Sequence, residues 1–188
     1  MKSVSKSRNR GFSPDKSIHY HLPHFDIENH YQFITFRTQD SKDKYLEKLS
    51  LQNLPNSKLQ FKIDQYLDKS PNGCYLSNEI LILMGDFIKS KNGHLYELIA
   101  YCIMPNHVHI LFKPLHPLPK VMQILKGSSS KLINEALGKT GKFWTTNYYD
   151  KLIRDENHFN TVYKYIKNNP LVLAEASASV PRFFGIYE

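Results

Sequence analysis

Residues 95–112 read Leu95-Tyr96-Glu97-Leu98-Ile99-Ala100-Tyr101-Cys102-Ile103-Met104-Pro105-Asn106-His107-Val108-His109-Ile110-Leu111-Phe112. Two β-prone apolar runs, Leu95–Ile103 and His107–Phe112, are separated by a Pro-Asn break, the chemistry of a turn. Residues i and i+2 of a strand share a face. His107 and His109 therefore point the same way and can reach one metal ion, while Val108, Ile110 and Phe112 face a core. Imidazole is a common metal ligand. Paired histidines also occur on ordinary exposed strands, so their meaning depends on what the rest of the chain brings to them.

Working outward, Tyr31-Gln32-Phe33-Ile34-Thr35-Phe36-Arg37 alternates and is rich in strand formers. Asp40–Leu51 has helical spacing at Tyr45, Leu46 and Leu49. The polar stretch 52–60, with Pro55, reads as a loop, and Phe61–Leu67 as helical. Pro71-Asn72-Gly73 is a turn. Ser77 is placed to cap a helix through Ser90 with the stripe Ile80, Leu83, Met84, Phe87 and Ile88, ended by Asn92-Gly93. Lys113–Pro119 carries three prolines and reads as a loop. A helix with Val121, Ile124, Leu125, Leu132, Ile133 and Leu137 follows, closed by Gly138. Asp155 can cap a helix over Glu156–Asn168, which Pro170 is expected to stop. Short strands separated by helices, with a hairpin-like pair in the middle, predict an α+β sandwich with a largely antiparallel sheet. Helices would cover one face; the other would leave the histidines open to substrate.

The expected organisation is a flexible basic arm over 1–18, one domain over 19–175, and a tail over 176–188. The arm carries Lys2, Lys6, Arg8, Arg10 and Lys16. His19, His21, His24 and His30 have irregular spacing and meet no ligand motif. With no apolar run of about 18 residues there is no membrane span. The N-terminus lacks the apolar region of a secretory signal. Cys74 and Cys102 cannot build a disulfide framework, so a cytoplasmic protein is expected. A net charge of +8 favours a polyanionic partner, and 12 Tyr and 11 Phe offer surfaces on which unpaired bases could stack. Lys120, Lys126, Lys131 and Ser128-Ser129-Ser130 on the fourth apolar-striped segment are phosphate-contact chemistries.

The last helix tests where its tyrosines point. At about 100° per residue, Phe159, Val162, Tyr163 and Ile166 form one stripe, which makes Tyr163 a core residue. Tyr165 falls on a neighbouring face with His158 and Asn169. Tyr165 and Asn169 are i, i+4 neighbours, so a nucleophile and an oxygen ligand can point at one place. A phenol with a pKa of about 10 is a weak nucleophile at neutral pH. A divalent cation, Mg²⁺ or Mn²⁺, at His107 and His109 would polarise a scissile phosphate and stabilise the leaving oxygen.

Together these segments resemble the REP-associated tyrosine transposases, within the IS200-like transposase superfamily. Tyr101–Phe112 resembles their HUH segment. Phe143-Trp144, Tyr148-Tyr149-Asp150, Ile153-Arg154-Asp155-Glu156 and Tyr165-Ile166-Lys167-Asn168-Asn169-Pro170 resemble the C-terminal signature. Leu22-Pro23-His24-Phe25 and Phe33–Arg37 resemble the N-terminal strand. The likeness runs from about residue 20 to 172. It implies a ferredoxin-like α+β fold and metal-dependent cleavage and joining of single-stranded hairpin DNA through a 5′-phosphotyrosine. It maps the nucleophile onto Tyr165 and metal ligation onto His107, His109 and Asn169. Lys126, Ser128, Ser129, Lys131 and Arg154 are the expected DNA contacts. The resemblance is compatible with a monomer or a homodimer. The chain departs from the family after Pro170: Leu171-Val172-Leu173-Ala174-Glu175 has neither the usual basic, glycine-containing turn nor a Trp-rich tail.

Two other activities fit the same residues. One is a hairpin-binding protein that does not cleave. The other is a nuclease that uses metal-activated water, with Tyr165 incidental.

Overall fold

The computed structural model describes residues 30–176 and 183–186, with side chains as far as Asn169. The basic arm 1–18, the histidines at 19, 21 and 24, and the segment Leu22–Phe25 lie outside the described residues. In order, the elements are β1 (Gln32–Arg37), α1 (Lys44–Ser50), α2 (Asn56–Leu67), α3 (Asn78–Ser90), β2 (Tyr96–Ile103), β3 (His107–Pro114), α4 (Leu118–Leu137), β4 (Tyr149–Leu152), α5 (Glu156–Ala176) and β5 (Phe183–Ile186). The strands form one antiparallel sheet in the order β4-β1-β3-β2-β5. The first four strands with α3 and α4 make the βαββαβ arrangement of a ferredoxin-like fold, as expected. β5, within the stretch expected to be a tail, extends the sheet beyond β2.

Alternation on β1 and β3 decides the two faces. Ile34, Phe36, Val108, Ile110 and Phe112 turn toward α3 and α4, where they pack with Leu81, Met84, Ile88, Val121, Leu125 and Ile133. Ile34, Val108, Ile110 and Phe112 are fully buried; burying a side chain of this size contributes about 1.5–3 kcal/mol. On β2 the register shifts between Leu98 and Ala100. Such a bulge sends residues two apart to opposite faces. Leu98 joins the α3–α4 core, whereas Ala100 and Cys102 join Phe33, Leu111, Val162 and Ile166 on the other face. That second face, expected to be open, is covered by α5. Phe159, Val162, Tyr163 and Ile166 all pack there, as the stripe predicts.

Several boundaries differ from expectation. α2 begins at Asn56, inside the stretch read as a loop, directly after Pro55; proline is tolerated at a helix start because its missing N–H would be unpaired there anyway. β3 runs to Pro114 and α4 starts at Leu118, so the loop between them is shorter than 113–119. β4 is a strand because it pairs with β1, Gln32 opposite Leu152 and Thr35 opposite Tyr149. α5 does not stop at Pro170 but continues to Ala176, so the proline's missing hydrogen bond does not end this helix. Gly138 closes α4 in the left-handed region, at φ 61°. Among the described residues, no helix is long and apolar enough to cross a membrane.

Candidate metal and tyrosine site

His107 and His109 start β3 on the face turned away from the α3–α4 core. Across the antiparallel pair, Arg37 lies opposite His107 and Thr35 opposite His109. The two imidazoles face each other, Nε2 to Nε2, at 3.1 Å. Their outer nitrogens are also held: His107 Nδ1 lies 2.8 Å from Asn106 Oδ1, and His109 Nδ1 lies 2.8 Å from Thr35 Oγ1. Both rings have 0% exposure. Burial disfavours the imidazolium; it pulls His107 well below the usual histidine range and His109 down to about 3. Both are therefore neutral, the form that ligates metals.

Sequence reasoning missed the acids that meet them. Asp64 and Asp68 come from the C-terminal half of α2 and the residue that follows it. Ligand atoms of Asp64, His107 and His109 lie within 4.8 Å of one another, all three residues buried. Asp68 Oδ1 sits 3.8 Å from His107 Nε2 and is otherwise a buried oxygen without a hydrogen-bond partner. Burial raises Asp64 to about 8 and Asp68 to about 6. The usable signal was Leu59, Ile63, Tyr66 and Leu67, a helical stripe that packs on Leu46 and Leu49 of α1. It orients α2 so that Asp64, beside Ile63, turns toward the histidines.

Tyr165 reaches the same place from α5. Its hydroxyl donates to Asp64 Oδ2 at 3.0 Å, while Gln60 Nε2 donates to Asp64 Oδ1 at 2.6 Å. Its ring stands edge-on to His109, centroids 5.3 Å apart. Burial, with the Asp64 carboxylate beside it, pushes the phenol far above its usual range, so it is held protonated. Asn169, one turn further on, is 5% exposed, and its Nδ2 has no hydrogen-bond partner.

This donor set fits a divalent cation. Two neutral imidazoles and the Asp64 carboxyl, all buried, lie within reach of one ion, and the Asp68 oxygen beside His107 is left unpaired. Buried polar groups normally find partners, and charges that stay buried are paired or bind metal. Nitrogen and oxygen ligands of this kind suit several divalent ions.

The expected DNA contacts separate into two groups. Lys126 is occupied internally: its Nζ donates to the carbonyls of Thr145 (2.8 Å), Thr146 (2.9 Å) and Asn147 (3.3 Å). Ser129 is buried, donates to Leu125 O and accepts from Trp144 Nε1 at 2.9 Å. These two side chains clamp the 144–147 segment onto α4. Ser128, Lys131 and Arg154 are exposed and remain available to a partner.

Among known protein families, the one described as IS200-like transposase matches residues 76–169, half of the chain. No curated protein matches the sequence. Similar solved structures include a REP-associated tyrosine transposase bound to a REP hairpin, at 16% identity and a TM-score of 0.47, covering 80% of this chain and 72% of that one. Another is a Deinococcus radiodurans protein assigned as a transposase, at 18% identity and a TM-score of 0.43, covering 87% of this chain and 97% of that one. The family match spans α3, the histidine strand and the tyrosine helix as far as Asn169, and on it the chain belongs to the IS200-like transposase family.

Proposed function

We propose that this transposase is a single-tyrosine endonuclease and strand transferase of the REP-associated type, acting on single-stranded hairpin DNA. The observation that carries this reading is the meeting of Tyr165 with His109 and Asp64, contributed by three separate elements. Tyr165 is the nucleophile. Its Oη forms a bond to phosphorus as the bond from phosphorus to the 3′ oxygen breaks, giving a 5′-phosphotyrosine and a free 3′-OH. The phenol donates to Asp64; in its carboxylate form Asp64 takes the phenol's proton as Oη attacks, and the leaving 3′ oxygen takes up a proton from solvent. The linkage keeps the energy of the phosphodiester, so rejoining needs no nucleotide cofactor. His107 and His109, with Asp64 or Asn169 as oxygen ligand, would hold Mg²⁺ or Mn²⁺, which supplies Lewis-acid polarisation of the phosphate.

Both histidines are fully buried, so α2 or α5 has to shift for a strand to enter. Exposed Lys131 and Arg154 provide charge for the DNA backbone, and Ser128 a hydroxyl. The test is a denaturing gel with labelled hairpins from the DNA flanking the gene, in Mn²⁺. Wild type should give a slow-migrating protein–DNA band and Tyr165→Phe none. Cleavage that survives Tyr165→Phe would favour water activated at the histidines. Binding without cleavage would favour a recognition module.

A further inference from the structure

The contacts around the histidine pair determine where its protons sit. An amide oxygen only accepts hydrogen bonds, and an amide nitrogen only donates. Asn106 Nδ2 faces three carbonyl oxygens, those of Leu67 (3.0 Å), Ser70 (3.3 Å) and Asn72 (3.2 Å). These oxygens can only accept, so the nitrogen must be on that side. The amide oxygen is thereby turned to His107 Nδ1, which must carry the hydrogen. A neutral His107 then has a bare Nε2. Across the 3.1 Å gap, His109 Nε2 supplies the hydrogen. His109 Nδ1 is left bare and accepts from the Thr35 hydroxyl.

We propose that Asn106 and Thr35 are positioning residues with opposite tasks: Asn106 locks His107 in its ligating tautomer, and Thr35 lets His109 change tautomer when a cation enters. This rests on the reading that the pair holds a cation through both Nε2 atoms. Both must then be bare. His107 already is. His109 must lose the proton at Nε2 and take one up at Nδ1, so the ring stays neutral. Its Nδ1–H then needs an acceptor. A threonine hydroxyl both donates and accepts, so Thr35 serves both states by rotating its proton, which a carbonyl in its place could not do. Asn106 also ties His107 to the end of α2, the helix that brings Asp64 and Asp68.

The test is ring-nitrogen NMR of the full chain with ¹⁵N-labelled histidine at neutral pH, after EDTA treatment and then with Zn²⁺ as a diamagnetic probe. The expected metal-free pattern is Nδ1–H on His107 and Nε2–H on His109; with Zn²⁺ both rings carry Nδ1–H. Asn106→Ala should let the Nε2–H form of His107 appear. Thr35→Val should weaken Zn²⁺ binding about 10- to 100-fold, the usual effect of removing an outer partner of a ligating histidine, and Thr35→Ser should restore it. Nε2–H on His107 in the metal-free wild type, or an unchanged His107 in Asn106→Ala, overturns the role of Asn106. Equal Zn²⁺ affinity in wild type and Thr35→Val overturns that of Thr35. If Zn²⁺ shifts neither ring, the cation reading fails and the His109 exchange with it, while the metal-free pattern still decides Asn106.

Discussion

The hydroxyl of Tyr165 donates to Asp64 Oδ2 at 3.0 Å, linking residues 101 positions apart. This hydrogen bond joins α5 to the α1–α2 excursion between β1 and α3. With Gln60 on the other oxygen, it holds the acid within 4.8 Å of the histidine pair.

Asp64 should set the pH dependence of stability in metal-free protein near neutrality. Its folded pKa is raised from 3.8 to about 8, so the folded state holds a proton that the unfolded state releases. The associated stability is full below the unfolded pKa and is lost as pH rises through about 8. His107 and His109 act oppositely but only below about 6.5, where the unfolded chain takes up protons the buried rings refuse. Lys126, lowered to about 8, acts only above that value. Between pH 6.5 and 8, urea unfolding in EDTA should show stability falling by up to about 1.4 kcal/mol per pH unit. Asp64→Asn should fold and remove that slope; an unchanged slope would rule out Asp64 as its source.

Cation binding should release the same proton. Ligands must be deprotonated to bind a metal, so apparent Mn²⁺ affinity should rise toward tenfold per pH unit below about pH 8. Mn²⁺ at 100 times its Kd should stabilise wild type by about 2.7 kcal/mol. His109→Ala should gain nothing. Titration calorimetry in buffers of different ionisation enthalpy checks the proton count, and thermal melts check the stabilisation.

The lysines of α4 should behave differently in DNA binding. Lys131→Ala should weaken binding to single-stranded hairpins and flatten the salt dependence, by a slope of about 0.7 for each phosphate no longer neutralised. Lys126→Met should leave the slope unchanged and instead destabilise the fold by about 1.5–3 kcal/mol, because it strips a charged donor from three carbonyls. Binding isotherms at several salt concentrations, beside urea unfolding, separate the two effects.

Gly73→Ala should be more destabilising than Gly93→Ala. Both glycines have positive φ, 68° and 75°, where a side chain costs roughly 1–2 kcal/mol. A Cβ at Gly93 meets nothing within 4 Å, whereas one at Gly73 would come 2.6 Å from the Ser41 backbone nitrogen. Equal destabilisation in urea unfolding would mean that the 70–74 turn can shift to make room.

The parts of the fold that were legible in sequence are those whose local chemistry agrees with their packing. β1 and β3 alternate between two buried faces. α3 starts directly after Ser77, although the Ser77 side chain makes no capping hydrogen bond, and α4 ends at a left-handed Gly138. The histidine pair and Tyr165 were legible because strand and helix periodicities place side chains on faces. Asp64 was not. It sits on a helix rich in polar residues, beginning after a proline, and only the small core with Leu46 and Leu49 orients it. β4 is four residues long and owes its strand form to pairing with β1. The occupied states of Lys126 and Ser129 depend on the 144–147 segment, which no periodicity on α4 reveals.

The most direct measurement is mass-spectrometric peptide mapping of the protein after reaction with a labelled hairpin in Mn²⁺. One modified peptide is expected, carrying a 5′-linked nucleotide on Tyr165 and absent from Tyr165→Phe. Cleaved DNA with no modified tyrosine, or a nucleotide on a different residue, would contradict it.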